Sequence, residues 1–523
     1  MPLSKTLAAS IAMTLGAAGA HADSFTGPQS SQTPYVVPTA DGWQVTSLIT
    51  VGDSAKESPY VLVGIPDGMG AVAGKFAGNG KYVADKAFMT VFLNHEIRPG
   101  LGVPRAHGTD GAFVSQWTVH LNSLQVKWGE DLIRRVLTWT GNAFADTTGT
   151  AQFNRFCSGD LPAYTGFYNP ASGKGFDGLI YMNGEEAGAE GRAFGHVVTG
   201  DEKGATYELP YLGKFSWENS VAHPNPGDKT IVVGLDDSTP GQVYVYVGDK
   251  QTDGSAIERA GLQNGYLFGI RVTNGGANYA GNPVPLENNG AVNGTFGLFP
   301  FTRAQAAGTG SALQSLSQAN GVTEFARPED GHWDTKNPRV FYWVTTGATL
   351  SGQRQSAKLY RLTFDSIANP TGGSIELVVD ADSLTGKDGQ SARSFDNMVV
   401  DADGKIIIQE DPGNASYIAK TWKVDPTKSP GHPGFAVQIF ESDRVRFSFD
   451  APNGLTDDEE NSGVIEVTDI VKSANWYEAG RRYYLGNMQA HYPIAGELVE
   501  GGQVYLMASP KTATSSGKPG KRH

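Results

Sequence analysis

Short apolar runs recur along almost the whole chain, each closed by a cluster of Gly, Asn, Asp or Pro. Examples are "WQVTSLITV", "FMTVFLNHE", "KTIVVGLDD", "QVYVYVGDK", "RVFYWVTTG", "KIIIQED" and "GQVYLMA". Runs of this length, rich in Val, Ile, Tyr and Phe, are strands; the breakers between them are tight turns. The 67 glycines and 28 prolines supply those turns. Helical periodicity is scarce, with "GEDLIRRVLTW" and the Ala/Gln-rich stretch 304–320 as the candidates, the second equally readable as a polar loop. A strand–turn–strand unit repeats loosely, as in "DNMVVDADGKIIIQED" and "NPRVFYWVTTGA…AKLYRLTFD". Such units spread over the whole length predict an all-β chain, a β-propeller with additional loops and short helices. An array of β-sandwiches is the alternative.

The first residues, "MPLSKTLAASIAMTLGAAGAHADSF", carry Lys5, an apolar small-residue run from Leu7 to Ala20, and an A-x-A site at 20–22. This pattern predicts a secretory signal peptide over 1–22 and a periplasmic or secreted protein. No later stretch is apolar for the roughly 18 residues that a membrane span needs. With no compositional break, residues 23–508 read as a single domain, and the small, basic 509–523 as a disordered tail. The 41 Lys+Arg against 54 Asp+Glu leave a net charge of −13, which argues against nucleic acid or an anionic membrane as partner. A monomer acting on a small molecule is expected.

The carboxylates fall where apolar strands end. "VFLNHE" ends at Glu96, "GLIYMNGEE" at Glu185 and Glu186, "LGKFSWE" at Glu218, and "IVVGLDD" at Asp236 and Asp237. "FARPED" ends at Glu329 and Asp330, "IIIQED" at Glu410 and Asp411, and "GVIEVTD" contains Glu466. In a propeller the strand ends of different blades converge on one axis. Carboxylates gathered there repel one another unless cations neutralise them, and hard oxygen ligands suit calcium. Any one of these acids, taken alone, reads as an ordinary solvated turn residue. Cys157 is the only cysteine, so it forms no disulfide within the chain. It is either a buried filler or a soft ligand, which would bring in a transition metal such as iron. Arg327 is either an inter-blade salt bridge or a clamp on phosphate oxygens.

Taken in order, "NRFCSGDL…YMNGEE", "LGKFSWENSVAH", "IVVGLDDSTPGQVYVYVG", "FARPEDGHWDTKNPRVFYWVTT", "FDNMVVDADGKIIIQEDPGN" and "GVIEVTDI…GNMQAHYP" resemble the successive motifs of the PhoX-type alkaline phosphatases. The resemblance runs from about Phe92 to Pro493. It implies a propeller of about six blades with two ferric ions and several calcium ions on its axis, hydrolysing phosphomonoesters outside the cytoplasm. It places the family's iron-bound cysteine on Cys157 and its paired glutamates on Glu185 and Glu186. Further metal ligands fall on Glu218, Glu329, Asp411 and Glu466, and the catalytic arginine falls on Arg327. The chain departs from the family pattern in having Gly184 before the paired glutamates, "LPAYTGF" after the cysteine, and the added acids of "TDDEENSG". A non-catalytic calcium-binding propeller and a different metal-dependent hydrolase, lactonase- or phytase-like, are the rival readings.

Overall fold

Ile406, Ile407 and Ile408 are consecutive and all fully buried. A strand can bury such a run only if both of its faces are covered. That requirement is met here in the computed structural model, which describes residues 23–76, 81–273, 293–350 and 352–512. The expected signal peptide, 1–22, and the tail from residue 513 lie outside the described residues.

The strands form six blades around one axis. The innermost strands are, in order, Pro66–Ala73, Phe156–Asp160, Trp217–Ala222, Pro328–Trp333, Phe395–Val400 and Val464–Glu466. The short Glu459–Glu460 strand precedes the last of these in the sixth blade. Each inner strand packs on the next, and the sixth packs on the first, so the ring is closed. From each inner strand the chain steps outward by antiparallel pairing, as in Ile406–Glu410, Lys420–Val424 and Ala436–Ser442 of the fifth blade. The third and fourth blades share a continuous sheet, because Gly294–Phe301 pairs with Gly372–Asp380 at their outer edges.

Each neighbouring pair of blades encloses its own apolar core. Ile406 and Ile408 face the fourth blade, with Tyr342 and Trp422. Ile407 faces the sixth, with Phe440 and Tyr484. Between the third and fourth blades, Trp333, Phe341, Trp343, Tyr360 and Phe364 interlock. Aromatic side chains of this size fill the wedge that opens between blades with distance from the axis.

The "GEDLIRRVLTW" segment is not helical. It holds the end of the strand Gln125–Asp131, a bend, and the strand Arg135–Trp139. Its paired apolar residues mimic a helix period for a different reason. Leu132, Ile133 and Val136 enter the core between the first and second blades. Leu137 enters the next core. The 304–320 stretch does contain helices, Arg303–Ala306 and Gly310–Ala319, each opened by a threonine whose hydroxyl accepts a backbone N–H. Among the described residues no helix is long and apolar enough to cross a membrane.

The N-terminal segment closes the ring. Val36–Pro38 is the outer strand of the fifth blade. Gln44–Thr50 pairs with the C-terminal strand Val499–Ala508 in the sixth. Trp43 packs at this seam on Phe440 and Tyr484, with ring centroids 5.5 and 6.1 Å away. Trp43→Ala is expected to destabilise the fold by about 3–5 kcal/mol, the usual cost of removing a buried tryptophan. Chemical denaturation followed by circular dichroism measures it; a loss near zero would show that the seam does not hold the ring.

Candidate metal centre

One position recurs in all six blades. The second residue of each inner strand segment is an acid or the thiol: Asp67, Cys157, Glu218, Glu329, Asp396 and Glu460. The local sequence repeats with it: a bulky residue, proline or acid, then the ligand-type residue, then a small polar residue or glycine. The six segments read "PDG", "FCS", "WEN", "PED", "FDN" and "EEN". In the first five blades the ladder is irregular over this stretch, between Pro66 and Met69, Phe156 and Gly159, Trp217 and Ser220, Pro328 and Gly331, and Phe395 and Met398. A bulge re-aims a side chain that regular pairing would bury within the blade. In four blades the residue just before the strand has positive φ: Ile65 at 54°, Arg155 at 45°, Arg327 at 61° and Ser394 at 48°. Non-glycine residues there are strained, and such strain clusters at functional sites.

The second strand of each blade adds another residue at an equivalent place, just past the partner of the inner strand's first residue. These are Glu96, Glu186, Asp237, Thr346, Asp411 and His491. The two rings combine across blade boundaries. Asp67, Glu96 and Cys157 bring ligand atoms within 4.8 Å of one another, as do Cys157, Glu186 and Glu218. Glu218, Asp237 and Glu329 form a third group, and Asp396, Asp411 and Glu460 a fourth. Cys157 and Glu218 each belong to two groups, so the first three form one connected chain. Close approach of the first two inner strands makes this possible. A Cβ on Gly68 would lie 2.1 Å from the nitrogen of Gly159, and Cys157 Sγ donates to Asp67 Oδ2 at 3.4 Å.

Two arginines and a histidine hold these acids. Arg155 donates to Glu96 Oε1 at 2.6 Å and also to Glu186. Arg327 forks onto Asp237 at 2.7 and 2.8 Å and reaches Glu329 at 3.2 Å. Both stand two residues before an inner-ring residue. His491 lies 2.6 Å from Glu500 and 3.7 Å from Glu460. These cations do not suffice. Burial, then the neighbouring carboxylates, push Asp67, Asp396 and the Cys157 thiol well up. The same order of causes raises Glu218 to about 8 and Asp411 to about 7. Glu460 is the exception: burial pushes it up, but His491, Ser462 and Asp396 outweigh burial and lower it.

A polar floor crosses the axis beneath the ring. Ser158 Oγ lies 2.7 Å from Glu218 Oε1 and 3.0 Å from Asn397 Oδ1, reaching from the second blade to the fifth. A hydroxyl has one proton and cannot donate to both. With Glu218 ionised, the amide of Asn397 turned over would let Nδ2, now buried without a partner, donate to Ser158, and Ser158 donate to Glu218. Asn219 Nδ2 donates to Asp330 Oδ1 at 2.6 Å alongside.

Of the residues singled out from sequence, Cys157, Glu186, Glu218, Glu329 and Asp411 come together in these groups, with Arg327 against them. Glu185 points away: its carboxylate accepts two bonds from Arg192 at 2.8 Å. Glu466 stands apart as well, accepting from the Ala402 amide at 2.7 Å and from Arg482 at 3.2 Å. It lines the lower part of the axial channel with Asp160 and Asp330. Asp67, Asp396, Glu460 and Arg155 were not expected, and Glu96 and Asp237 were seen only as strand-end acids. The repeated three-residue signature would have found the inner-ring acids.

The donor set fits metal ions. Asp67 Oδ1 is buried without a hydrogen-bond partner, and nine carboxylates with one thiol surround the axis. The oxygen-only group in the fifth and sixth blades suits a hard cation; the groups that share Cys157 also suit a softer one.

The family model for alkaline phosphatase PhoX matches residues 164–423. The chain belongs to the PhoX family. The matched stretch carries Glu186, Glu218, Asp237, Glu329, Asp396 and Asp411, and leaves the first and sixth blades outside. A solved structure of Pseudomonas fluorescens PhoX in complex with vanadate, a transition state analogue, shares the fold over 92% of this chain and 97% of that one, with a TM-score of 0.60 at 13% identity. A Trypanosoma rangeli sialidase in complex with sialic acid is a far weaker match, with a TM-score of 0.30 at 7% identity over 87% of this chain and 59% of the other. That likeness carries no weight for function. No curated protein matches the chain in sequence.

Two outcomes follow from this PhoX-type ring. A carboxyl whose folded-state pKa is raised adds stability that is full below its unfolded value and is lost as pH rises through its folded value. Chelator-treated protein should therefore melt at a lower temperature near pH 8 than near pH 5, as Asp411 and Glu218 ionise. Added calcium should abolish the difference, because a ligand of the native state stabilises it. A melting temperature indifferent to both would contradict the ring as a cation site. Ser158→Ala should weaken metal binding about tenfold, in the range usual for a group that supports a ligand. Metal titration against the parent reads this, and an unchanged affinity would reduce Ser158 to a filler.

Proposed function

We propose that this PhoX-family chain is an exported, metal-dependent phosphatase that releases phosphate from phosphomonoesters at the axial ring. The observation that carries the reading is the pair of arginines, Arg155 and Arg327, set at equivalent positions against connected groups of carboxylates and one thiol.

Cys157, Asp67, Glu96, Glu186, Glu218, Asp237 and Glu329 would hold the cations of the connected groups, with iron at the thiol-bearing end. Asp396, Asp411 and Glu460 would hold calcium. Bound there, the cations would neutralise phosphoryl oxygens and lower the pKa of a bound water. The protein's own part is geometric. Arg327, whose Nε and Nη2 are held by Asp237, would reach a phosphoryl oxygen with its remaining terminal amine, Nη1. Arg155 faces the same ring from the second blade. Burial would lower the pKa of either guanidinium, but the facing carboxylates more than reverse this, so both stay charged. In a chain at −13, the attraction for a phosphate ester has to come from these local groups. Thr346 donates to Glu329 and Ser462 to Glu460, fixing two carboxylates that burial alone would not orient. The apolar, small-residue N-terminus with its A-x-A site supports export to the periplasm or beyond.

Arg327→Ala should reduce kcat/KM on a chromogenic phosphate monoester by about 10²-fold, the scale of one lost electrostatic contact to a transition state. Cys157→Ser should lower iron content together with turnover while the β-sheet circular dichroism is kept. Full turnover in both variants, or turnover of lactones in place of phosphate esters, would overturn the proposal.

A further inference from the structure

The ring has two gaps. Groups able to hold a cation span the first and second blades, the second and third, the third and fourth, and the fifth and sixth. None is found between the fourth and fifth among the described residues, nor between the sixth and first. Between the sixth and first, Gln489 replaces a ligand, donating to Asp67 Oδ2 and Glu96 Oε2 at 2.9 Å each. A cavity of about 380 Å³ opens at this gap. Glu96, Glu460 and Arg155 form its inner end, so it leads directly onto the ring. Ile65 and Leu101 give it an apolar side, and His491, Glu500 and Arg98 lie around it.

The charges of this cavity pair off, with one exception. Glu96 is held by Arg155 at 2.6 Å. Glu500 is held by His491 at 2.6 Å. Glu460 receives Ser462 and belongs to the cation group of the fifth and sixth blades. Arg98 alone carries no ion pair and no side-chain hydrogen bond among the described residues. An unpaired guanidinium two residues from a ring carboxylate, in so acidic a chain, is a surplus positive charge beside the reacting phosphate.

Resting on the phosphatase reading above, we propose that this cavity is the leaving-group subsite and that Arg98 selects phosphomonoesters of small hydroxy acids. The phosphoryl group sits at the ring, and the hydroxy acid extends outward along Ile65 and Leu101. Its carboxylate meets the Arg98 fork, which presents two parallel N–H donors to the two oxygens. A single carboxylate matches a single unpaired guanidinium. A second phosphate would bring excess negative charge beside Glu96 and Glu500.

The test compares two esters that differ in one group. In 3-phosphoglycerate a carboxylate stands where glycerol 3-phosphate has a hydroxymethyl group. The metal-loaded protein should favour 3-phosphoglycerate in kcat/KM, and the preference should shrink with rising salt, since Arg98 is exposed. Arg98→Gln should lower the ratio of the two kcat/KM values about tenfold, mainly through KM for 3-phosphoglycerate, as expected for one charge-assisted contact. Arg339→Gln, which removes an exposed arginine elsewhere, should leave the ratio as it was. If the parent hydrolyses glycerol 3-phosphate without preferring 3-phosphoglycerate, or if Arg98→Gln lowers both equally, the subsite is wrong and the phosphatase reading stands. If the parent hydrolyses neither ester, both fall.

Discussion

Like-charge repulsion at the axis is the constraint around which this molecule is built. Nine carboxylates and a thiol lie in groups whose ligand atoms are within 4.8 Å of each other. At that separation two full charges repel by roughly 3–4 kcal/mol at an effective dielectric of 20. Arg155, Arg327 and His491 supply three positive charges against ten acidic groups. Protons or cations must make up the difference, and burial with the neighbouring carboxylates accordingly raises Asp67, Glu218 and Asp411. The same shortage of positive charge would draw multivalent cations to the centre.

Such a centre needs a scaffold that does not relax away from its own strain. Six separate apolar cores, one at each blade boundary, provide it. Every inner strand is clamped between two of them, so the axial residues cannot spread to lower their repulsion without opening a core. The strained backbone of Ile65, Arg155, Arg327 and Ser394 is held in the same way. At the four boundaries that hold a group, a cavity-forming change in the core would be felt first by that group, because each group borrows residues from the two blades that enclose it.

How much of this could be read in the sequence depended on burial. Strands covered on both faces print themselves as unbroken apolar runs, and "KIIIQED" or "QVYVYVGDK" could be read as little else. The second-strand residues follow such runs directly, which is why Glu186 and Asp411 were visible. The inner strands are different. They are short, irregular and polar at the axis, so Asp67 in "PDG" and Asp396 in "FDN" carry no periodic signal of their own. Only comparison among blades reveals the shared position, and the degenerate repeat hid it. Glu185 and Glu466 misled in the opposite sense, since a strand-end acid looks the same whether it joins the ring or is held by an arginine away from it. "GEDLIRRVLTW" failed because the doublets Leu132–Ile133 and Val136–Leu137, the second split between two cores, imitate the spacing of one helical face.

The pairing of Gln44–Thr50 with Val499–Ala508 has a temporal consequence. The sixth blade cannot exist until Val499–Ala508, the last strand among the described residues, has been made, although its partner is among the first. Five blades can be complete while the ring remains an open arc. Glu460, Asp67 and the gap between them take their places only when the two ends meet. A chain that crosses a membrane as an unfolded thread would therefore finish its cation centre on the far side, drawing on whatever ions that compartment offers.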